Sequence, residues 1–154
     1  MYFHLILTDD CNLCCSYCRA RVFENNDESE GTGPQIQIDP HLPPELDVNL
    51  DLIYGFLSRD PSPSLTFYGG EPLLRTDLIE RIMKEAPVLR FMIQTNGLLL
   101  DKINPEIVNR FSTILVSIDG QEELYDANRG KGRYRKVIEN IKKFCRNGYE
   151  NDLI

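Results

Sequence analysis

Four of the five cysteines in this chain of 154 residues lie within eight positions, in the segment CNLCCSYC at residues 11–18. Thiols clustered in this way bind metals, hold metal clusters or take part in redox reactions. The start of the chain, MYFHLILTDDCN, has no basic segment, so we expect no signal peptide and a cytoplasmic protein with reduced thiols. Cys14 and Cys15 are adjacent, which is poor geometry for a local disulfide. The pattern therefore favours metal or redox chemistry.

A single zinc ion is one candidate for these thiols. CNLC and CSYC are two C-x-x-C pairs, but they abut, whereas structural zinc sites separate such pairs by about a dozen residues or more. An iron–sulfur cluster can instead be held by one loop, because thiolates two or three residues apart reach different irons. The spacing allows two sets of three ligands, in which Cys11 and Cys18 are joined by either Cys14 or Cys15. Three thiolates would leave one iron open to N and O atoms of a substrate or cofactor.

Short apolar runs rich in β-forming residues predict four strands, at residues 3–8, 64–68, 90–95 and 113–118. Their nearly continuous hydrophobicity is typical of parallel strands that are covered on both faces. The segments between them predict amphipathic helices, at residues 47–58, 76–86, 104–111 and 133–147.

The predicted helices carry capping signals and apolar stripes. We expect Thr76 to cap the helix 76–86, and Asn104 to cap the next helix with Pro105 at its first position. The expected inward-facing residues of the first helix are Val48, Leu52, Ile53, Phe56 and Leu57. Those of the second are Leu78, Ile79, Ile82, Met83 and Ala86. Those of the last are Tyr134, Val137, Ile138, Ile141, Phe144 and Cys145.

Strands that alternate with helices predict an α/β fold, either a doubly wound parallel sheet or part of a βα barrel. In both folds, ligands bind at the carboxyl ends of the strands. The first predicted strand leads to the cysteine segment, the second to GGEP, the third to NG and the fourth to DG. These polar or glycine-rich sequences therefore lie at one edge of the sheet, where we expect a shared site.

The composition excludes some classes of partner. The chain has 17 basic and 24 acidic residues, a net charge of −7, which makes nucleic acid a poor candidate. No segment is long and apolar enough to span a membrane, so we expect no membrane association. Residues 24–46 are acidic and rich in glycine and proline, and they predict a flexible loop or insertion.

Several motifs together resemble those of the radical S-adenosylmethionine (radical SAM) superfamily. The spacing Cys11-x3-Cys15-x2-Cys18, with Tyr17 before the last cysteine, resembles its cluster-binding motif. YGGEPLL (68–74) resembles its GGEP motif, and QTNGLLL (94–100) and SIDG (117–120) resemble the ends of its third and fourth strands. DANRGKGRYRKVIENI (126–141) resembles a stretch found in peptide- and protein-modifying, SPASM-type maturase members.

The resemblance implies a partial (β/α) barrel, of which this chain would supply about four of six βα units. Residues 1–154 would then be the N-terminal part of a radical SAM core domain, with the remaining strands and any C-terminal domain absent. It also implies that Cys11, Cys15 and Cys18 hold a [4Fe–4S] cluster, with Cys14 as a neighbour that is not a ligand. S-adenosylmethionine would bind the fourth iron through its methionyl amine and carboxylate.

The resemblance further implies a set of residues that bind S-adenosylmethionine, namely Tyr17, Gly69, Gly70, Glu71, Pro72, Asn96, Ser117, Asp119 and Arg129. Tyr17 would lie near the adenine, and the two glycines would let the backbone approach the methionyl group. The Glu71–Pro72 turn would offer acceptors to the ammonium. Ser117 and Asp119 would contact the ribose or methionyl part, and Arg129 would pair with the carboxylate as a bidentate donor.

These residues also have simpler interpretations. Gly69–Gly70, Asn96–Gly97 and Asp119–Gly120 are common turn sequences, and Arg129 alone would be a solvated cation. His4 and His41 have no partner pattern and are expected to be structural or exposed.

The implied activity is that of an oxidoreductase, the reductive cleavage of S-adenosylmethionine to a 5′-deoxyadenosyl radical that abstracts hydrogen from a substrate. The substrate would be a peptide or protein, and the electron donor a ferredoxin or flavodoxin. The alternative is an iron–sulfur electron-transfer module, or a zinc-binding module, without radical chemistry.

Overall fold

The structure is a computed structural model of the chain that describes residues 1–18, 45–146 and 152–153. Of the predicted insertion 24–46, the structure describes residues 45 and 46. The rest, including His41, lies outside the described residues. Among the described helices, none has the length and apolar character needed to cross a membrane.

The described strands form one parallel sheet whose order follows the chain. The strands are β1 (Tyr2–Ile6), β2 (Ser64–Tyr68), β3 (Arg90–Thr95), β4 (Phe111–Val116) and β5 (Asp152–Leu153). The bounds of β2 and β3 match the prediction, whereas β1 and β4 begin one and two residues earlier than predicted. The predicted α/β fold of parallel strands in a partial barrel is confirmed. The four predicted strands are present, and a further strand of two residues, β5, pairs with Thr113 and Ile114 of β4.

The described helices are α1 (Leu50–Leu57), α2 (Thr76–Glu85), α3 (Pro105–Val108), α4 (Glu122–Arg129) and α5 (Arg133–Arg146). Short 3₁₀ turns cover Pro72–Arg75 and Leu100–Lys102. The predicted Asn104 cap is confirmed, since its side chain accepts a hydrogen bond from Glu106 N–H at 3.0 Å. The predicted Thr76 cap was wrong, because α2 continues directly from the preceding 3₁₀ turn and Thr76 is its first helical residue.

The helix α4 was not predicted. Its sequence EELYDANR is short and polar and buries a single residue, Tyr125, so it offers few apolar positions from which a helix could be recognised. The helix is capped at its C-terminal end by Gly130, whose φ of 110° lies in a region that favours glycine. Because its buried residue packs in the site described below, tertiary contacts rather than an amphipathic stripe hold this helix in place.

The main core lies between one face of the sheet and α1, α2 and α3, and it also takes in Phe144 of α5. Three aromatic side chains meet in it, with Phe67 stacked on Phe91 at 5.9 Å between ring centroids and edge-on to Phe111 at 6.2 Å. The remaining buried members are Leu7, Leu50, Leu57, Leu65, Leu73, Ile79, Ile82, Met83, Ile93, Leu100, Ile103, Ile107, Val108, Ile114 and Phe144.

Two predictions of core residues were wrong. In α1 the predicted stripe was misplaced, since Val48, Leu52 and Phe56 are 51%, 72% and 56% exposed. The helix packs beside β1, which is an edge strand of the described sheet. Only a narrow face of the helix is therefore covered. In α5 the side chain of Cys145 is exposed, because the helical turn of about 100° per residue points it away from buried Phe144.

Candidate functional site

A cavity of about 390 Å³ lies at the carboxyl ends of the first four strands. Its size is within the range of small-molecule binding sites. The predicted site residues that line it are Cys11, Cys15, Tyr17, Cys18, Gly69, Gly70, Asn96, Ser117 and Arg129. Glu71, Pro72 and Asp119 lie behind this lining, where the first two are buried. The predicted residues are therefore brought together around one cavity.

The GGE sequence after β2 holds the backbone that leads into the cysteine loop. Gly70 N–H donates to the Thr8 carbonyl and Glu71 N–H to the Asp10 carbonyl, each at 2.8 Å. A Cβ added to Gly70 would lie 2.3 Å from the Asp10 carbonyl oxygen, too close for any side chain. The glycine is thus required for backbone packing just before Cys11, besides facing the cavity.

Glu71 is fully buried, and its carboxylate accepts hydrogen bonds from other groups of the protein. One oxygen accepts from Leu73 N–H at 3.0 Å and Thr95 Oγ1 at 2.8 Å, and the other accepts from Asn96 N–H at 2.8 Å. Burial raises the pKa of Glu71, and these three hydrogen bonds oppose that rise. The carboxylate joins the end of β2 to the end of β3 and thereby sets the position of Asn96.

Asn96 connects the third strand to the cysteine loop. Its side-chain Nδ2 donates to Asn12 Oδ1 at 2.7 Å and lies 3.8 Å from Cys11 Sγ, which also accepts from Leu13 N–H at 3.4 Å. Burial raises the pKa of the Cys11 thiol, while the N–H donors lower it. Hydrogen bonds of this kind stabilise thiolate sulfur in iron–sulfur sites.

The four clustered cysteines occupy different environments. Cys15 is buried, Cys11 and Cys18 are half-buried, and Cys14 is exposed at the border of the cavity. Cys15 belongs to a second apolar cluster, against which Cys11 and Cys18 also pack. We call this cluster the apolar wall, and its buried members are Leu13, Cys15, Leu98, Tyr125 and Val137. The packing groups the same three cysteines that the resemblance implies as ligands.

Within the described parts of the chain, no three His, Cys, Asp or Glu side chains converge on a point that could hold a single metal ion. A cubane cluster does not need such convergence, since each of its thiolates binds a separate iron. Three soft sulfur donors on one short loop, with N–H groups directed at one of them, fit a [4Fe–4S] cluster.

Arg129 and Asp119 form a bidentate ion pair beside the cysteine loop. Arg129 Nε and Nη2 donate to the two carboxylate oxygens of Asp119, each at 2.8 Å, and Tyr17 Oη donates to the same oxygens at 2.7 and 2.9 Å. The Arg129 hydrogen bonds, joined by that of Tyr17, hold the pKa of Asp119 below its ordinary value. Burial and the Asp119 hydrogen bond raise the pKa of Tyr17 to about 12. The bidentate geometry expected of Arg129 is present, but its partner in this structure is Asp119.

The missed helix α4 is attached directly to the cysteine loop. Ser16 N–H donates to the Asn128 carbonyl at 2.8 Å, and Ser16 Oγ donates to Asn128 Oδ1 at the same distance. Asp126 in the same helix accepts from Gly132 N–H at 2.6 Å and Tyr134 N–H at 2.9 Å, which fixes the start of α5. The polar DANRGKG sequence is therefore a structural support for the cysteine loop.

Besides Cys14, sequence reasoning missed six further residues that line the cavity, namely Asp9, Asp10, Leu13, Tyr68, Gln94 and Thr95. Gln94 is a polar residue inside an apolar strand, and that break in the pattern was the available signal for it. His4 is exposed, and its ring lies 6.3 Å from that of Tyr68.

Comparison with known proteins agrees with this geometry. The sequence matches the Radical SAM superfamily over residues 5–154. It is 32% identical over 146 residues to a "Probable GTP 3′,8-cyclase" of Archaeoglobus fulgidus, covering 94% of this chain and 44% of that protein. It is 31% identical over 147 residues to the 7,8-dihydro-6-hydroxymethylpterin dimethyltransferase of Methanocaldococcus jannaschii, covering 89% of this chain and 26% of that protein.

A solved structure, native anSMEcpe with bound AdoMet, has the same fold with a TM-score of 0.65 and 21% identity. The match covers 99% of this chain and 42% of that one. The same protein with AdoMet and the Kp18Cys peptide gives a TM-score of 0.61, with 23% identity and coverage of 99% and 41%.

The chain belongs to the radical SAM superfamily, a class of enzymes that use a [4Fe–4S] cluster and S-adenosylmethionine. It spans less than half the length of the relatives described above.

Proposed function

We propose that this chain binds a [4Fe–4S] cluster through Cys11, Cys15 and Cys18 and receives S-adenosylmethionine in the adjoining cavity. The observation that carries the proposal is the shared packing of these three cysteines against the apolar wall, at the mouth of a cavity lined by the residues after four strands. Cys14 is exposed and is not the third ligand in this proposal.

When bound, the cluster and S-adenosylmethionine supply reductive cleavage of the sulfonium and a 5′-deoxyadenosyl radical for hydrogen abstraction. The chain's own residues position and enclose these groups. Leu13 N–H and Asn96 direct hydrogen-bond donors at Cys11 Sγ, and buried Glu71 holds Asn96 in place. Gly69 and Gly70 keep the end of β2 against the backbone before Cys11.

The remaining site residues keep the roles that the resemblance implies, with one change. Tyr17 lies beside the adenine, and Ser117 contacts the ribose or methionyl part. Arg129 has five N–H donors, of which two are engaged by Asp119, so the others remain for a carboxylate. Asp119 acts mainly by orienting Arg129 and Tyr17, both of which it binds.

We propose a peptide or protein as the substrate. Two features support it, the resemblance of residues 126–141 to peptide-modifying members and the peptide bound to the fold neighbour anSMEcpe. The charge of the cavity also favours it, since Arg129 is the one basic residue among the described lining residues and is paired with Asp119. Asp9 and Asp10 line the same cavity and would repel a polyphosphate.

A second candidate is cyclisation of a nucleotide, favoured by the 32% identity to a "Probable GTP 3′,8-cyclase". This candidate requires cationic residues beyond those that line the described cavity. In either case the electron donor is proposed to be a ferredoxin or flavodoxin.

The test is anaerobic reconstitution with iron and sulfide, followed by dithionite and S-adenosylmethionine, with 5′-deoxyadenosine measured by chromatography. We expect product from the wild-type chain and from Cys14→Ala, and none above background from Cys15→Ala. A cluster that forms without any response to S-adenosylmethionine would instead support simple electron transfer. Loss of product in Cys14→Ala but not in Cys15→Ala would overturn the ligand assignment.

A further inference from the structure

Tyr125, in the middle of α4, carries a polar group that the proposed function does not use. Its side chain is 0% exposed, and its hydroxyl has no hydrogen-bond partner among the described residues. Buried hydroxyls in folded proteins nearly always have a partner, because an unpaired one costs free energy. An acceptor that does not belong to the described polypeptide is therefore expected near this hydroxyl.

The surroundings of Tyr125 limit what that acceptor could be. Tyr125 is a member of the apolar wall together with Cys15, and Cys11 and Cys18 pack against the same wall. The other buried members of the wall, Leu13, Leu98 and Val137, are aliphatic and offer no acceptor. The acceptor that fits this place is therefore a sulfur atom of the cluster that these three cysteines are proposed to hold.

The orientation of the ring is fixed from several sides. The Arg129 guanidinium lies 5.4 Å from the ring centroid, and the ring of Tyr134 meets it edge-on at 5.6 Å. The helix that carries Tyr125 is itself bound to the cysteine loop through Ser16 and Asn128. The phenol therefore has a set position relative to the cysteines and cannot turn outward to find water.

We propose that Tyr125 is a positioning residue for the iron–sulfur site, whose phenol O–H donates a hydrogen bond to a sulfur atom of the bound cluster. This inference rests on the proposed function, since it requires the cluster. The sulfur atoms of a bound cluster carry negative charge, which makes them better acceptors than neutral thiols. The hydrogen bond stabilises the more negative, reduced cluster and so raises its reduction potential.

The experiment compares Tyr125→Phe with the matched control Tyr134→Phe in the 154-residue chain, reconstituted without oxygen. The midpoint potential is measured by a dye-mediated titration followed by electron paramagnetic resonance, and the metal-free proteins are unfolded in urea. For Tyr125→Phe we expect the midpoint potential to be more negative by about 59 mV. For a one-electron couple, this shift lowers the ratio of reduced to oxidised cluster roughly tenfold. The metal-free Tyr125→Phe chain should be as stable as the wild type or more so, because it loses an unpaired buried hydroxyl. Tyr134→Phe should leave the potential unchanged.

An unchanged potential in Tyr125→Phe would overturn the inference. So would a clear loss of stability in the metal-free variant, since that would mean the hydroxyl has a structural partner in the polypeptide. Failure of the wild-type chain to take up any cluster would overturn the proposed function itself, which separates the two failures.

Discussion

At the scale of single residues, two carboxylates of the site bind other protein groups. Glu71 binds the ends of two strands, and Asp119 binds Arg129 and Tyr17. The cysteine spacing predicted where the site lies, because ligand spacing along one loop is a local property. Thr95 and Asn96 as partners of Glu71, and Asp119 as the partner of Tyr17, could not be predicted, since they lie 24 to 25 and 102 positions away along the chain.

Replacing Glu71 with glutamine tests the role of its carboxylate. Glutamine keeps one acceptor oxygen but presents an NH₂ group to Asn96 N–H, so one buried N–H loses its partner. We expect the free energy of unfolding of the metal-free chain to fall by about 1–3 kcal/mol in urea. The control Glu106→Gln, on an exposed residue, should change it by less than about 0.5 kcal/mol. Equal, small effects of both variants would contradict the structural role given to Glu71.

At the scale of elements, the first four strands were predictable and one helix was not. Nearly continuous apolar runs fix β2 and β3, because parallel strands buried on both faces need that pattern. The helix α4 is short and polar and has a single buried residue, so its sequence offers few apolar positions from which a helix is predicted. The apolar stripe of α1 was misplaced because the exposure of its side chains depends on what lies beside the edge of the sheet, which the sequence of the helix does not show.

Two glycines in different elements give a matched test of backbone packing. A Cβ at Gly70 would overlap the carbonyl oxygens of Asp9 and Asp10 at 2.5 and 2.3 Å, whereas one at Gly55 in α1 meets nothing within 4 Å. We expect Gly70→Ala to destabilise the chain by about 1–3 kcal/mol, since the backbone before Cys11 must shift. Gly55→Ala should stabilise it by about 0.5–1 kcal/mol, as expected for an exposed helix interior.

Both variants would be measured by urea unfolding, and iron uptake would be measured in parallel. Gly70→Ala should also bind less iron, because the displaced backbone leads directly into the cysteine loop. Normal stability and iron content in Gly70→Ala would show that the close approach between these two segments is not required.

At the scale of the whole molecule, the parallel order of the strands determines where the chemistry lies. The four loops that follow β1 to β4 meet at one edge because all four strands run in the same direction. This convergence was predictable from the alternation of strands and helices, and so was the α/β class. The two-residue strand β5 was not, because so short a segment carries no pattern and is defined by its pairing with β4.

The central claim is that three cysteines of this chain hold a [4Fe–4S] cluster with one iron left for S-adenosylmethionine. Mössbauer spectroscopy of the ⁵⁷Fe-reconstituted chain, recorded before and after adding S-adenosylmethionine, tests this claim most directly. The account predicts a cubane in which one iron site has a distinct isomer shift that changes when S-adenosylmethionine binds. A spectrum with no cubane, or with all iron sites equivalent and unchanged by S-adenosylmethionine, would contradict it.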